Sequence, residues 1–309
     1  FFPWEICPME PQDSSGGAVT HPSRKRKRVK SRKDASSSSQ QEPRNSEQGR
    51  VPVLWWRSEP PVPLSSEEAM IPILLRWGEK ERGMMKDQPP FRLATIHKKL
   101  HQLSGIRLDQ ALSLRRHHMK LHNPYRDMPT LRLGKVEDIN ASAEIFERMV
   151  ETFLKENKIP FLNETDQKTQ STCSNHSGST TSTPLTPDFL LPTPIRLKIF
   201  QQESRGKRVV VKEVVIHWIE AKMFYGASTI PTGAIGAVGS ILPKVKRYVQ
   251  HFGTGAIIFM QGFGDRLAQE LADEGVTALS GSVLPKRLLS QVWDHQKTWC
   301  AREDGKILP

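Results

Sequence analysis

The chain has 309 residues, 37% of them hydrophobic and 25% charged, with a net charge of +12 and an isoelectric point near 9.7. That balance points to an anionic partner and to a weak electrostatic attraction for nucleic acid. No apolar run approaches a membrane span, no secretory signal is visible, and Cys7, Cys173 and Cys300 form neither a metal-spaced pair nor a disulfide framework, which fits a reducing compartment.

Residues 1–65 read as a disordered basic tail. Pro11 to Pro63 is rich in Ser, Pro, Gln and charge and poor in apolar periodicity, apart from a Val53-Leu54-Trp55-Trp56 cluster that has the character of a docking segment. Arg24, Lys25, Arg26, Lys27, Arg28 and Lys30, with Arg32 and Lys33, place eight basic residues in ten. This is the form of a nuclear localisation signal or a nucleic-acid-binding arm, with a solvating tail as the bland alternative. Nuclear localisation is therefore expected, with a cytoplasmic pool left open. Phe1 rather than methionine opens the chain, as expected of a fragment.

Residues 66–130 read as a helical region. Phe91 to Leu121 has the pattern of two helices broken near Gly105, followed by Arg115, Arg116, Lys120 and His117, His118 and His122. A helix-turn-helix is one reading and an ordinary helical hairpin the commoner one. An i,i+4 histidine pair can bind zinc, but no Cys or acid completes the set nearby, so a basic helix surface is expected.

Residues 139–280 carry the main folded pattern, with a disordered Ser/Thr-rich insertion near 165–184. Asn140 or Ser142 is a fair N-cap for a helix whose Ala143, Phe146, Val150 and Phe153 form one stripe, widened by Met149 and Leu154, and which ends near Asn157. Ile159-Pro160-Phe161-Leu162 suits a short edge strand, a second strand starts at Asp188, and Gln201 to Lys207 turns the chain. Arg208 to Lys222 is a third strand. Its two faces, Val214/Ile216/Trp218 and Val215/His217/Ile219, are both apolar and predict a central strand covered on both sides. Gly226 to Gly239 reads as a mobile loop. Ile241, Val245, Tyr248, Val249 and Phe252 repeat at helical spacing with Gly253 as the cap, and Ala256 to Met260 is a buried fourth strand. Asp265 to Asp273 is a further helix. Residues 281–309 supply a C-terminal helix beginning near Pro285, and a tail.

Chemistry is concentrated in Thr186-Pro187-Asp188-Phe189 and Ile216-His217-Trp218-Ile219-Glu220-Ala221-Lys222. A strand alternates its side chains, so Glu220 and Lys222 leave on one face, and hairpin pairing can bring Asp188 beside them. Acid-x-Lys occurs four times in the chain, but only Glu220 closes a Val/Ile/Trp run. Alternation turns His217 the other way, as expected of a satisfied core histidine. Two carboxylates and an ammonium together are the equipment of a metal-dependent phosphodiesterase, and hard oxygen ligands favour Mg²⁺ or Mn²⁺.

With Phe252-Gly253-Thr254-Gly255 and Gly262-Phe263, these strings closely resemble the codanin-interacting nuclease family, part of the PD-(D/E)xK nuclease superfamily, over roughly Ala143 to Phe263. The resemblance implies an α/β, restriction-endonuclease-like αβββαβ core following the N-terminal helical region. It also implies a nucleic-acid substrate and a codanin-like protein as partner. Asp188, Glu220 and the Ala221 carbonyl are implied as metal ligands, and Lys222 as the group that orients or deprotonates water. A further acid is implied on the first core helix. Glu147, about 100° from Phe146 at the border of the apolar stripe, is the best candidate of Glu144, Glu147 and Glu151. Lys244 and Tyr248, one turn apart on the second helix, are candidate phosphate contacts, Lys244 standing where relatives tend to carry Gln. The competing expectation is a catalytically silent interaction or DNA-binding protein on the same scaffold.

Overall fold

The computed structural model describes residues 51–83, 106–122, 136–174, 185–203 and 206–298. In chain order their elements are β1 (Val53–Arg57), α1 (Leu64–Gly83), α2 (Leu108–His122), α3 (Val136–Glu156), β2 (Leu162–Asn163), α4 (Glu164–Ser174), β3 (Phe189–Gln202), β4 (Arg208–Lys222), α5 (Ile241–Phe252), β5 (Gly255–Phe259), α6 (Asp265–Asp273), β6 (Val276–Ser280) and α7 (Lys286–Gln296). The basic run 24–33, the first half of the expected helical hairpin and residues 175–184 of the Ser/Thr-rich insertion lie outside the described residues; residues 165–174 of that insertion were expected to be disordered and are instead helical, in α4.

The strands form one mixed sheet in the order β1-β3-β4-β5-β6, with β2 also paired to β3. β4 runs antiparallel to β3 and parallel to β5, and β5 runs parallel to β6. The architecture is mixed α/β. The expected succession of helix, three strands, helix and strand is present, with α4 added between β2 and β3.

One side of the sheet is closed by α3 and α7. Of the predicted stripe of α3, Phe146, Met149, Val150 and Leu154 are fully buried and meet Leu288, Leu289 and Val292 of α7, while Ala143 and Phe153 are partly buried beside them. Each such side chain contributes roughly 1.5–3 kcal/mol through apolar burial. α3 begins at Val136, so Asn140 and Ser142 do not cap it. Ser142 is instead buried inside the helix, its hydroxyl 2.8 Å from Nδ1 of His295 on α7. On the other side, Ile241, Val245 and Tyr248 of α5 and Leu267 and Leu271 of α6 pack on Trp218, Ile257 and Phe259.

Three expectations are corrected. Residues 51–65 are not a disordered tail: Val53–Arg57 pairs in parallel with Arg196–Phe200, and Leu54 and Trp56 enter the core, the Trp56 indole donating to the Ser280 carbonyl. β4 is covered on both sides only from Ile216 onward. Its ladder to β5 starts at Trp218, so the first half projects beyond β5 and Val210, Val211 and Val215 are exposed. The sheet also gains a strand at its far edge, β6, which was not anticipated because Val276–Ser280 is short and directly follows Gly275.

A bulge interrupts β3. Leu190 pairs with Trp218 and Ile195 with Ile216, so Leu191–Pro194 stands opposite His217 alone. Pro192 and Pro194 cannot donate to a ladder, which makes this stretch the place for the irregularity. The bulge also reverses the alternation: Ile216 and Ile219 both face α3, whereas Trp218 faces α5.

Candidate functional site

The end of β4 and the residues before β3 are stitched together by side chains. The Ala221 N–H donates to Asp188 Oδ2 at 2.7 Å, and the Asp188 N–H donates to Glu220 Oε2 at 3.2 Å. Two helices pin the turn that presents Asp188. The Tyr248 hydroxyl of α5 donates to the Thr186 carbonyl at 2.7 Å, and Gln167 Nε2 of α4 donates to the Pro187 carbonyl at 2.8 Å. Asp188, Glu220 and Lys222 therefore meet in one place, as strand alternation and hairpin pairing require.

Three oxygens converge on the Lys222 ammonium. Nζ lies 2.6 Å from Glu220 Oε1, 3.1 Å from the Ala221 carbonyl and 3.7 Å from Asp188 Oδ2. Lys244 of α5 reaches the same Glu220 Oε1, also at 2.6 Å. The ammonium thus stands where the oxygens of two acids and one backbone carbonyl point inward, an all-oxygen set suited to a hard divalent cation rather than to zinc.

Charge is poorly solvated here, since Glu220 is almost fully buried and the Asp188 and Lys222 side chains are only about one-fifth exposed. Burial pushes the Asp188 carboxyl up to about 6, aided by the neighbouring Glu220 charge and opposed by Lys222. Burial also pushes Glu220 upward, but Lys222 and Lys244 outweigh it and hold this carboxyl below its ordinary range. Lys222 stays firmly protonated: its burial acts downward and is overcome by Glu220 and Asp188. Two acids and two ammoniums give a network close to neutrality.

The remaining candidates are placed differently. Glu147 lies half-buried on α3. Burial, then the Asp188 charge, pushes its carboxyl up to about 7. Lys222 and Glu220 also act on it, and among the described residues no group of three or more His, Cys, Asp or Glu side chains is gathered as a metal cage. Tyr248 is buried with its hydroxyl committed to Thr186, so it anchors the Thr-Pro-Asp turn where a phosphate contact was expected. His217 is half-exposed at the bulge rather than in the core, with Nδ1 3.3 Å from both the Thr254 carbonyl and its hydroxyl. The basic stretch of α2 is a helix surface only in part: Arg115 and His118 are buried, whereas Arg116 and His117 are half-exposed and Lys120 is exposed.

A cavity of about 240 Å³ opens beside Glu220 and Lys222, lined by Trp218, Phe224, Ala237, Ile241, Lys244 and Tyr248 among others. Its loop wall is anchored through Glu67, which sequence reasoning missed. This fully buried acid in the first turn of α1 accepts from the Tyr225 hydroxyl at 2.6 Å, from the Ser228 and Thr229 N–H groups at 3.0 Å each, and from the Thr229 hydroxyl at 3.0 Å. Residues 225–229 are therefore held, where Gly226 to Gly239 was expected to be mobile. Only the Ser-Ser-Glu-Glu capping pattern of α1 marked Glu67 in the sequence, and that pattern reads as solvent-facing.

Residues 133–280 match the family described as "Protein of unknown function TPD sequence-motif". The matched segment contains the Thr186-Pro187-Asp188 triplet and both halves of the site. No curated protein and no solved structure matches the chain significantly.

Proposed function

We propose that this chain is a Mg²⁺- or Mn²⁺-dependent nuclease with a restriction-endonuclease-like core, akin to the PD-(D/E)xK superfamily and to the codanin-interacting nucleases within it. The observation that carries this reading is the convergence of Glu220 Oε1, the Ala221 carbonyl and Asp188 Oδ2 on a single cationic point, now taken by the Lys222 ammonium.

Asp188, Glu220 and the Ala221 carbonyl would hold the ion. Bound there, it polarises a phosphoryl oxygen and acidifies water. Lys222, displaced from Glu220 Oε1, keeps its charge and swings on its flexible stem toward the attacking water or the phosphoryl oxygens, where it offsets the negative charge that grows in the transition state. Lys244, 45% exposed along its side chain, contacts the phosphate from the opposite wall. Tyr248 and Gln167 keep the Asp188 turn in place, so the reacting groups need little reorganisation. The basic run Arg24 to Lys33 supplies a nuclear import signal under this reading, and a codanin-like protein is its partner.

The rival reading is a silent scaffold in which two acids and two lysines form a neutral structural network. The double capture of Glu220 Oε1 by Lys222 and Lys244 favours it. Calorimetric titration with Mg²⁺ and Mn²⁺, paired with digestion of a DNA and RNA substrate panel, separates the two. The nuclease reading expects metal binding lost in Asp188→Asn and Glu220→Gln and cleavage lost in Lys222→Ala. Absent metal binding by the unaltered chain would leave the silent scaffold.

A further inference from the structure

Because the bulge at His217 reverses the alternation, the side of the sheet that carries Trp218, Glu220 and Lys222 continues past it through Val215 of β4, Arg196 and Lys198 of β3, and Val53 and Trp55 of β1. Near the site this side is covered by α5 and α6. Beyond the bulge much of it is open: Val53, Trp55, Val210 and Val215 are 37%, 39%, 42% and 47% exposed, with Phe200 buried among them.

This open half is aromatic and basic. Trp55 packs edge-on against Phe200 at 6.1 Å, Lys198 Nζ lies 5.5 Å from the Trp55 ring centre, and the Arg208 guanidinium lies 4.8 Å from that of Phe200. Arg57, Arg196, Lys198 and Arg208 share it with one acid, Glu213, which Arg196 and Lys198 flank at 3.6 and 3.3 Å. The charge is in excess and its sign is positive.

A protein partner that buried this face as an interface core would have to desolvate four cations, of which the one acid here, Glu213, pairs two, and that argues against it. Nucleic acid asks for what is present: a ring for a base to stack on and cations for the phosphates. A duplex keeps its base faces stacked inside, so a flat sheet with an exposed indole suits unpaired bases.

We propose that this open half of the sheet binds a single-stranded segment of nucleic acid, with a base stacked on Trp55 and phosphates against Arg196, Lys198 and Arg208, and leads it toward Asp188, Glu220 and Lys222. The binding rests on the face alone. Only the fate of the strand at the far end rests on the nuclease reading. From Val215 to Glu220 is roughly 17 Å along the strand, within the span of a short oligonucleotide.

The test is fluorescence anisotropy of the full chain with a labelled oligothymidylate of about 15 nucleotides and a duplex of equal length, in chelator so that no cleavage occurs. The single strand is expected to bind more tightly. Trp55→Ala should weaken it about tenfold, Trp55→Phe should restore most of the loss, and Val215→Glu should weaken it without touching the core. Lys198→Gln should flatten the salt dependence by roughly one phosphate contact. Lys212 pairs with Ile199 on the opposite side of the sheet, so Lys212→Glu is expected to change little. Equal affinity for duplex, indifference to Trp55→Ala and Val215→Glu, or an equal loss in Lys212→Glu would each overturn the proposal. The expected binding pattern in chelator, followed by no cleavage of the same strand by the unaltered chain when Mg²⁺ or Mn²⁺ is supplied, would sink the nuclease reading alone.

Discussion

Lys244 on α5 and Glu220 at the end of β4 are joined at 2.6 Å through the same carboxylate oxygen that Lys222 holds. A cation entering between Asp188 and Glu220 must compete with both ammoniums for that oxygen. Lys244→Met removes one competitor and one repelling charge, so Mg²⁺ is expected to bind about fivefold more tightly, on the order of 1 kcal/mol for a partly exposed ion pair. Affinity for an oligonucleotide should fall in the same variant. Calorimetry for the ion and anisotropy for the strand, on one preparation, check the two directions together.

Glu147 gives the site a signature in pH. Its carboxyl is pushed from 4.5 to about 7 by burial and then by the Asp188 charge, so the native state holds this proton more tightly than the unfolded chain does. Above pH 7 the charged form costs stability, and the cost is relieved as the pH falls from about 7 toward 4.5. Glu147→Gln removes the cost at every pH. The variant should therefore melt above the unaltered chain at pH 8, with the gap closing toward pH 5. A gap independent of pH would show that Asp188 and burial do not act on Glu147 in this way.

The centre of the site was legible because its logic is local. Glu220 and Lys222 share a strand face by alternation alone, and the apolar run before them marks a buried strand end. What failed needed distant partners. Trp56 looks like part of a polar, proline-flanked tail until β3, some 140 residues later, supplies a parallel neighbour. The valines of β4 look buried on both faces because an apolar alternation carries no record of which faces find covers. β5 begins only at Gly255, which leaves the first half of β4 with one neighbour. Tyr248 lies on the predicted helix at the predicted spacing, but a hydroxyl donated to a backbone carbonyl 62 residues earlier has no mark in the pattern.

Glu67 shows how the N-terminal helices bear on the cavity. All four of its hydrogen bonds come from Tyr225, Ser228 and Thr229, and burial pushes its carboxyl up despite them. Glu67→Gln replaces one acceptor oxygen by an NH₂ that faces donors, which strands buried N–H or O–H groups and costs about 3 kcal/mol. Tyr225→Phe, which removes one donor and leaves the acid three, should cost about 1–2 kcal/mol. Chemical denaturation of the two variants tests the ranking, and a larger loss for Tyr225→Phe would contradict it.

Gly255 opens β5 directly opposite Trp218 in the parallel ladder, and the indole lies across the space a side chain would need. A β-carbon at Gly255 would sit 2.1 Å from Trp218 Cε2 and 2.3 Å from Cδ2. The ring has little freedom to retreat. It is fully buried, its Nε1 donates to the Gly253 carbonyl at 2.8 Å, and it packs edge-to-face with Tyr248 at 5.1 Å between ring centres. Gly255→Ala should therefore destabilise the fold by about 1–3 kcal/mol, the usual cost of overpacking a dense core. The strain should also travel. Trp218 bears on Tyr248, Tyr248 holds Thr186, and Thr186 precedes Asp188 by two residues, so the displaced ring loosens the turn that presents the acid. Trp218→Phe in the Gly255→Ala background shortens the ring system and should recover part of the stability, although the bond to Gly253 is lost. Denaturation midpoints of the two single variants and the double variant form a thermodynamic cycle. A coupling of about 1 kcal/mol or more is expected if the two side chains compete for the same space, and strict additivity would mean that the backbone, not the indole, resists the added methyl.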